Sequence, residues 1–291
     1  MKIQSLSIVV PSSGCINKCQ FCVSRMRHDE YPNMLDEKLP FYDLYEADYV
    51  RRLEFARDNG CNTVMLTGDS EPQQNRSFLQ RFGTMNKNLP SPFRWIEMQT
   101  TGVMLNDPYL RFLRNHVGVS TISVSISSFD NGSNNEIIGT PDKHQVCLES
   151  LCQAIKKYDF NLRLSVNLTD QFNGYSNKPE KFFTYCRLLG ADQVTLRILY
   201  TGDGETEQAE WIRKHSIADK TESQLIEYVK EEGRALERLE YGRVKYSILG
   251  MSTVIDDDCM AQDVSDSYKY VILRPNCKLY SRWDDPGSLI F

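Results

Sequence analysis

The chain has 291 residues, 41% of them hydrophobic and 25% charged, with nine cysteines and a formal net charge of −5. That balance supports a globular domain with a real core and excludes a disordered chain. The opening residues MKIQSLSIVVPSSG carry only a short apolar run, and nowhere do about 20 apolar residues follow one another, so no signal peptide or membrane span is expected and a cytoplasmic protein is.

Taken in chain order, a first strand is expected at 6–10, bounded by Pro11 and Gly14, with three cysteines in the loop that follows it. A helix at 43–58 leads to a strand at 63–67, a helix at 75–85 to a strand at 94–99, and a helix at 108–115 to a strand at 121–127. The rhythm continues with a helix at 144–158, a strand at 161–167, a helix at 178–189 and a strand at 193–199. Strands separated by helical crossovers lie parallel. The expected fold class is therefore α/β, with six βα units curved into a partial (βα)6 TIM-like barrel over residues 1–200. Beyond it the pattern changes. Gly202 and Gly204 mark a loop, 222–240 reads as one charged helix, and 244–249, 268–274 and 278–280 read as short strands. Residues 201–291 are read as a small α+β extension covering the barrel.

An odd number of cysteines in so long a chain points to reduced thiols and a metal site, not to a disulfide scaffold. Cys61, Cys147, Cys152 and Cys186 are dispersed and read as packing residues. Cys15, Cys19 and Cys22 differ: they fall on one loop at the C-terminal end of the first strand, where α/β barrels build their sites. One loop with this spacing can wrap a cubane iron–sulfur cluster and supply three of its four iron ligands, leaving one iron open. A structural zinc site completed by His28 or a distant residue is the alternative reading of the same thiols.

Cys15, Cys19, Phe21 and Cys22 match CxxxCxΦC with an aromatic at Φ, and with them the chain resembles the radical S-adenosylmethionine (radical SAM) superfamily over residues 6–200. The resemblance implies a single three-cysteine 4Fe–4S cluster and reductive cleavage of S-adenosylmethionine (AdoMet) to a 5′-deoxyadenosyl radical that abstracts hydrogen from a substrate. By position Phe21 packs beside the adenine. Thr67-Gly68-Asp69-Ser70-Glu71-Pro72 is similar to the family's glycine-glutamate-proline element, which assigns Gly68, Glu71 and Pro72 to the cofactor site; Ser70 stands where glycine is usual and discourages a positive φ. Thr100, in Gln99-Thr100-Thr101-Gly102, and Ser125, in the strand ending Ser127-Ser128-Phe129-Asp130, are assigned to the same site by likeness to other members.

Asn167 and Arg197, at the ends of the fifth and sixth strands, complete the expected cofactor set. The fixed charge of Arg197 on an apolar strand suits a carboxylate or phosphate, and a buried ion pair is the alternative account. Cys259 and Cys277 are too few for an auxiliary cluster. The expected substrate is a small molecule, nucleotide or short peptide, since no RNA-binding or cobalamin-binding domain is visible, and the negative charge disfavours a large nucleic acid. An electron donor such as flavodoxin or ferredoxin is implied. Three rival readings are an activating enzyme that places a glycyl radical on a partner protein, a non-catalytic iron–sulfur electron carrier or redox sensor, and a zinc-binding interaction module.

Overall fold

The computed structural model describes residues 2–26, 45–202, 204–239, 243–256, 267–283 and 285–291. His28, Cys259 and the first residues of the helix expected at 43–58 lie outside these. No helix among the described residues is long and apolar enough to cross a membrane.

The six expected strands are present. They are β2 (Ser5–Val9), β3 (Thr63–Thr67), β4 (Trp95–Thr100), β5 (Thr121–Ile126), β6 (Asn161–Asn167) and β7 (Gln193–Arg197), after a two-residue β1 (Lys2–Ile3). They pair in chain order, all parallel. Between them run α1 (Val23–Met26), α2 (Glu46–Asp58), α3 (Arg76–Asn88), α4 (Asp107–Phe112), α5 (Asn131–Ile138), α6 (Leu148–Lys157) and α7 (Pro179–Leu188).

The C-terminal third adds α8 (Glu207–His215), α9 (Asp219–Glu232), β8 (Arg234–Arg238), β9 (Val244–Ile248), β10 (Met251–Asp256), β11 (Ser267–Tyr268), β12 (Val271–Leu273) and β13 (Leu279–Tyr280). These strands join the sheet at both edges, giving the order β13-β12-β2-β3-β4-β5-β6-β7-β10-β9-β8. Since β12 runs parallel to β2 and β10 parallel to β7, eight parallel strands stand side by side. The helix expected at 222–240 breaks instead at Gly233, whose extended backbone leads into β8. Arg234 to Arg238 have good helix propensity, but pairing with β9 and the Lys245–Glu237 bridge at 2.7 Å override it, and its exposed charges suit an edge strand.

Period-two alternation divides each strand. Leu6, Ile8, Val64, Leu66, Ile96, Met98, Leu162, Leu164, Val166 and Leu196 are fully buried and join Phe78, Phe82, Leu151, Ile155 and Phe183 of the helices in one core. The residues between them point to the concave side. Phe182 of α7 anchors the aromatic part of the core, with ring centroids 5.2 Å from Phe129, 5.4 Å from Phe172 and 5.1 Å from Phe183. Phe182→Ala is expected to cost about 3–5 kcal/mol, read as a lower denaturant midpoint at unchanged slope.

Candidate active site

The concave face encloses a cavity of about 640 Å³. It exists because the inward strand positions are small and hydrophilic: Ser5 and Ser7 on β2, Thr63 and Thr67 on β3, Ser123 on β5 and Ser165 on β6 leave space that bulky branched residues fill in an ordinary barrel. Near the strand N-termini the cavity carries a polar cluster. Arg163 Nη1 stands 2.5 Å from Glu97 Oε2 and its Nε donates to Gln193 Oε1 at 2.8 Å.

The thiol loop lies at the opposite, C-terminal end of the strands. Gln74 clasps it from both sides, accepting from the Ile16 amide at 2.8 Å and donating to the Gly14 carbonyl at 3.0 Å. Asn75 donates to the Pro11 carbonyl at 2.8 Å and caps α3 by accepting from the Phe78 amide. Further along, the amides of Lys18 and Gln20 donate to the carbonyls of Ile138 and Ile137 at the end of α5. That approach requires Gly139, which has φ +63° and where a Cβ would stand 2.6 Å from the Lys18 carbonyl oxygen. Among the described residues no three His, Cys, Asp or Glu side chains are grouped tightly enough to hold a single metal ion.

Glu71 ties this loop to the end of β4. Its Oε2 accepts from the Thr101 hydroxyl at 2.8 Å, the Thr101 amide at 3.1 Å and Asn17 Nδ2 at 3.3 Å. Glu71 and Asn17 are both buried, yet among the described residues Glu71 Oε1 and Asn17 Oδ1 have no hydrogen-bond partner. Burial raises the Glu71 pKa against the hydrogen bonds from the Thr101 hydroxyl and amide. Burial likewise raises all three loop thiols, with the charge of Glu71 adding at Cys15 and Cys19 and that of Asp69 at Cys22. Asp69 is anchored separately, accepting from the Ser24 hydroxyl at 2.8 Å and pairing with the buried Arg274 at 2.8 Å.

The expected site residues separate into two groups. Cys22, Gly68 and Arg197 line the cavity. A Cβ on Gly68 would crowd the Ser70 carbonyl at 3.3 Å, and Ser70 makes the turn without a positive φ. Ser125 stands in register with Ser165, and Asn167 with Arg197, so both sit toward the same end; Asn167 Nδ2 donates to Ser127 Oγ at 3.2 Å. Thr100 lies behind the loop, its hydroxyl accepting from Gln73 Nε2 at 2.6 Å and from the Gly102 amide at 2.7 Å, while Pro72 is buried at the start of a 3-10 turn. Phe21 faces the α8 residue Trp211, ring centroids 6.2 Å apart, and Trp211 stacks on His215, which pairs with Asp170 at 2.9 Å.

Sequence reading passes over Asn17, Asp69, Gln74 and Asp256. The first three sit in or beside the two motifs as spacer residues. Asp256, at the end of β10, faces three cations: Arg197 at 3.5 Å, Lys269 at 3.5 Å, and Arg243 in direct contact. Lys269 precedes β12, so this pair spans the two outer parallel strands.

Parallel strands around a cavity, with a three-thiol loop at their C-terminal end, define an α/β barrel with an open interior. The sequence model of the Radical SAM superfamily matches residues 9–186, well over half of the chain, and the chain belongs to that superfamily. No curated protein matches. Among solved structures, native anSMEcpe with bound AdoMet is similar at 13% identity and TM-score 0.62, covering 98% of this chain and 76% of that one. Native anSMEcpe with bound AdoMet and Cp18Cys peptide gives 17% and 0.54 over 80% and 60%, and the hexahistidine-tagged form with AdoMet 18% and 0.50 over 68% and 52%. The chain thus spans between about half and three quarters of the length of these proteins, and the likeness is one of fold.

The superfamily implies a 4Fe–4S cluster and AdoMet, and the residues present fit both. Buried thiols that raise one another's pKa become stable thiolates only with cationic charge among them. The partnerless acceptors Glu71 Oε1 and Asn17 Oδ1 beside them suit a donor such as an ammonium group.

Two outcomes follow. Gly139→Ala is expected to displace the thiol loop and lower iron content after anaerobic reconstitution, with little change in helix content by circular dichroism. For Asp256, burial opposes the charge, but Arg197, Lys269 and Arg243 hold the carboxyl below its ordinary value of 3.8. A depressed folded-state pKa stabilises above the unfolded value and stops doing so as pH falls through the folded one. Asp256→Asn is therefore expected to cost about 3–5 kcal/mol near neutrality, a loss that shrinks below pH 3.8 in denaturation curves taken across the acid range.

Proposed function

We propose that Cys15, Cys19 and Cys22 hold the 4Fe–4S cluster and that the enzyme acts on a small-molecule, nucleotide or short-peptide substrate inside the barrel. When bound, cluster and AdoMet supply one-electron cleavage of the sulfonium to a 5′-deoxyadenosyl radical. The observation that carries the reading is the position of the thiol loop and of Glu71: they share the C-terminal end of the strands, with Cys22 and Gly68 opening directly onto the cavity.

In this reading the chain's own residues bind, orient and exclude water. Glu71, Asn17 and the Gly68 turn receive the amino end of AdoMet. Ser125 and Asn167 supply hydroxyl and amide groups to its carboxylate, Pro72 and Thr100 hold the turn and strand end in place, and Phe21 with Trp211 offers aromatic surface to the adenine. Arg274 keeps Asp69 and the Gly68 turn fixed. An external one-electron donor such as flavodoxin or ferredoxin is required.

Anaerobically reconstituted protein given dithionite and AdoMet is expected to form 5′-deoxyadenosine, measured by chromatography. Cys19→Ala is expected to abolish it and lower bound iron. A cluster that assembles without cleaving AdoMet would move the assignment to an electron carrier.

A further inference from the structure

Charged and hydroxyl side chains face the cavity from its strands, with cations in excess. Of the described strand residues that line it, Met65, Val194 and Val254 are apolar, and Val23, Leu239, Tyr270 and Trp283 add apolar surface from outside the strands. An apolar substrate would leave the remaining hydroxyls, amides and charges without partners. Among the described lining residues five are Lys or Arg and three are Asp or Glu, in a chain whose formal net charge is −5. A cavity of one sign within a protein of the other concentrates counter-ions of that charge.

The charge is not spread evenly. Asn167, Arg197 and Asp256 stand abreast in the register of β6, β7 and β10, at the end of the cavity that carries the thiol loop. The single Asp256 carboxylate is shared by Arg197, Arg243 and Lys269, so the cluster keeps a positive excess. Among the described residues Arg197 Nε makes no hydrogen bond, the Asp256 oxygen being 3.5 Å away. One pleat below Asn167 on the same face, Ser165 is 4% exposed and lines the cavity, and its Oγ has no partner among the described residues. A buried hydroxyl and a buried guanidinium N–H on adjacent strands, without partners among the described residues, form a donor pair that suits an acceptor on a ligand.

We propose that the substrate is a hydrophilic organic anion whose carboxylate or phosphate is bound by Arg197 and Ser165. The inference rests on the reading of the cavity as the substrate site and names the substrate's class. Arg197 gives a planar, permanently charged fork that matches either group. Lys269 and Arg243, already leaning on Asp256, offset the added negative charge. The remaining hydroxyl-lined wall suits a body rich in hydroxyl or amide groups.

The test is calorimetric titration of the cluster-loaded protein, under anaerobic conditions and without AdoMet, with four probes: inorganic pyrophosphate, citrate, glucose and spermidine. Saturable binding of pyrophosphate or citrate, absent for glucose and spermidine, is the expected result; the first alone points to a phosphate and the second alone to a carboxylate. Loss of a charged hydrogen bond is expected to weaken binding about tenfold or more in Arg197→Gln, with part of the affinity kept in Arg197→Lys. Ser165→Ala, which removes one small group, gives a second reading if the Arg197 variants melt early. Failure of both anions to bind, equal binding of glucose, or affinities unchanged in Arg197→Gln and Ser165→Ala would overturn the proposal. Production of 5′-deoxyadenosine is scored separately, so a cluster that never cleaves AdoMet and a cavity that never binds anions are distinguishable failures.

Discussion

A β-strand presents two faces, and in this sheet they are given opposite tasks. The outward residues are apolar and lock onto the helices, so the helices hold the sheet from outside without help from its interior. The inward residues are then free of the packing role that fills most barrels. With serine and threonine at many of those positions the interior stays open, and the polar clusters reach across it, Glu97 of β4 to Arg163 of β6 and Asp256 of β10 to Arg197, Arg243 and Lys269. The hollow barrel and the charges in it are consequences of this single alternation.

The same frame explains how loops of such different origin are brought to one place. Parallel strands put every C-terminal loop at one end, but loops need local ties to hold a geometry. Glu71 supplies one by joining Asn17 of the thiol loop to Thr101 at the end of β4. Gln74 supplies a second, to Gly14 and Ile16, and the last turn of α5 a third, through Gly139. Arg274 reaches in from beside β12 to Asp69 and also donates to the Trp283 carbonyl. The C-terminal third thus takes part in positioning a turn that is more than 200 residues away in sequence.

What is legible in the sequence follows from which forces are local. The strands at 63–67 and 161–167 have the observed limits because alternation and flanking turn residues agree there. The thiol loop and Thr67 to Pro72 are legible because each is contiguous. Residues 234–238 read as helix because helix propensity is local, whereas the pairing with β9 that makes them a strand is not. β10, whose sequence Met-Ser-Thr-Val-Ile-Asp has weak alternation, is not among the expected strands, and for β12 the missing information is its position: nothing local says that the two add to opposite edges of the parallel sheet. Asp256 does not stand out for the same reason, since its significance comes from Arg197 and Lys269 arriving from other parts of the chain.

That division has a functional counterpart. The segment matched by the superfamily ends at residue 186 and contains the three loop thiols, Glu71 and the strands that carry them. Arg197, Lys245, Asp256, Lys269 and Arg274, which set most of the cavity's charge, all lie beyond it. The first part is the segment the superfamily shares, with the thiol loop and the Glu71 turn at one end of its strands. The second lines the cavity with groups that the common chemistry does not demand. A fold shared by many enzymes leaves substrate choice to such additions, and here they enter largely as strands of the sheet itself, at both edges, so that the wall of the cavity and most of its charge are built from the same residues.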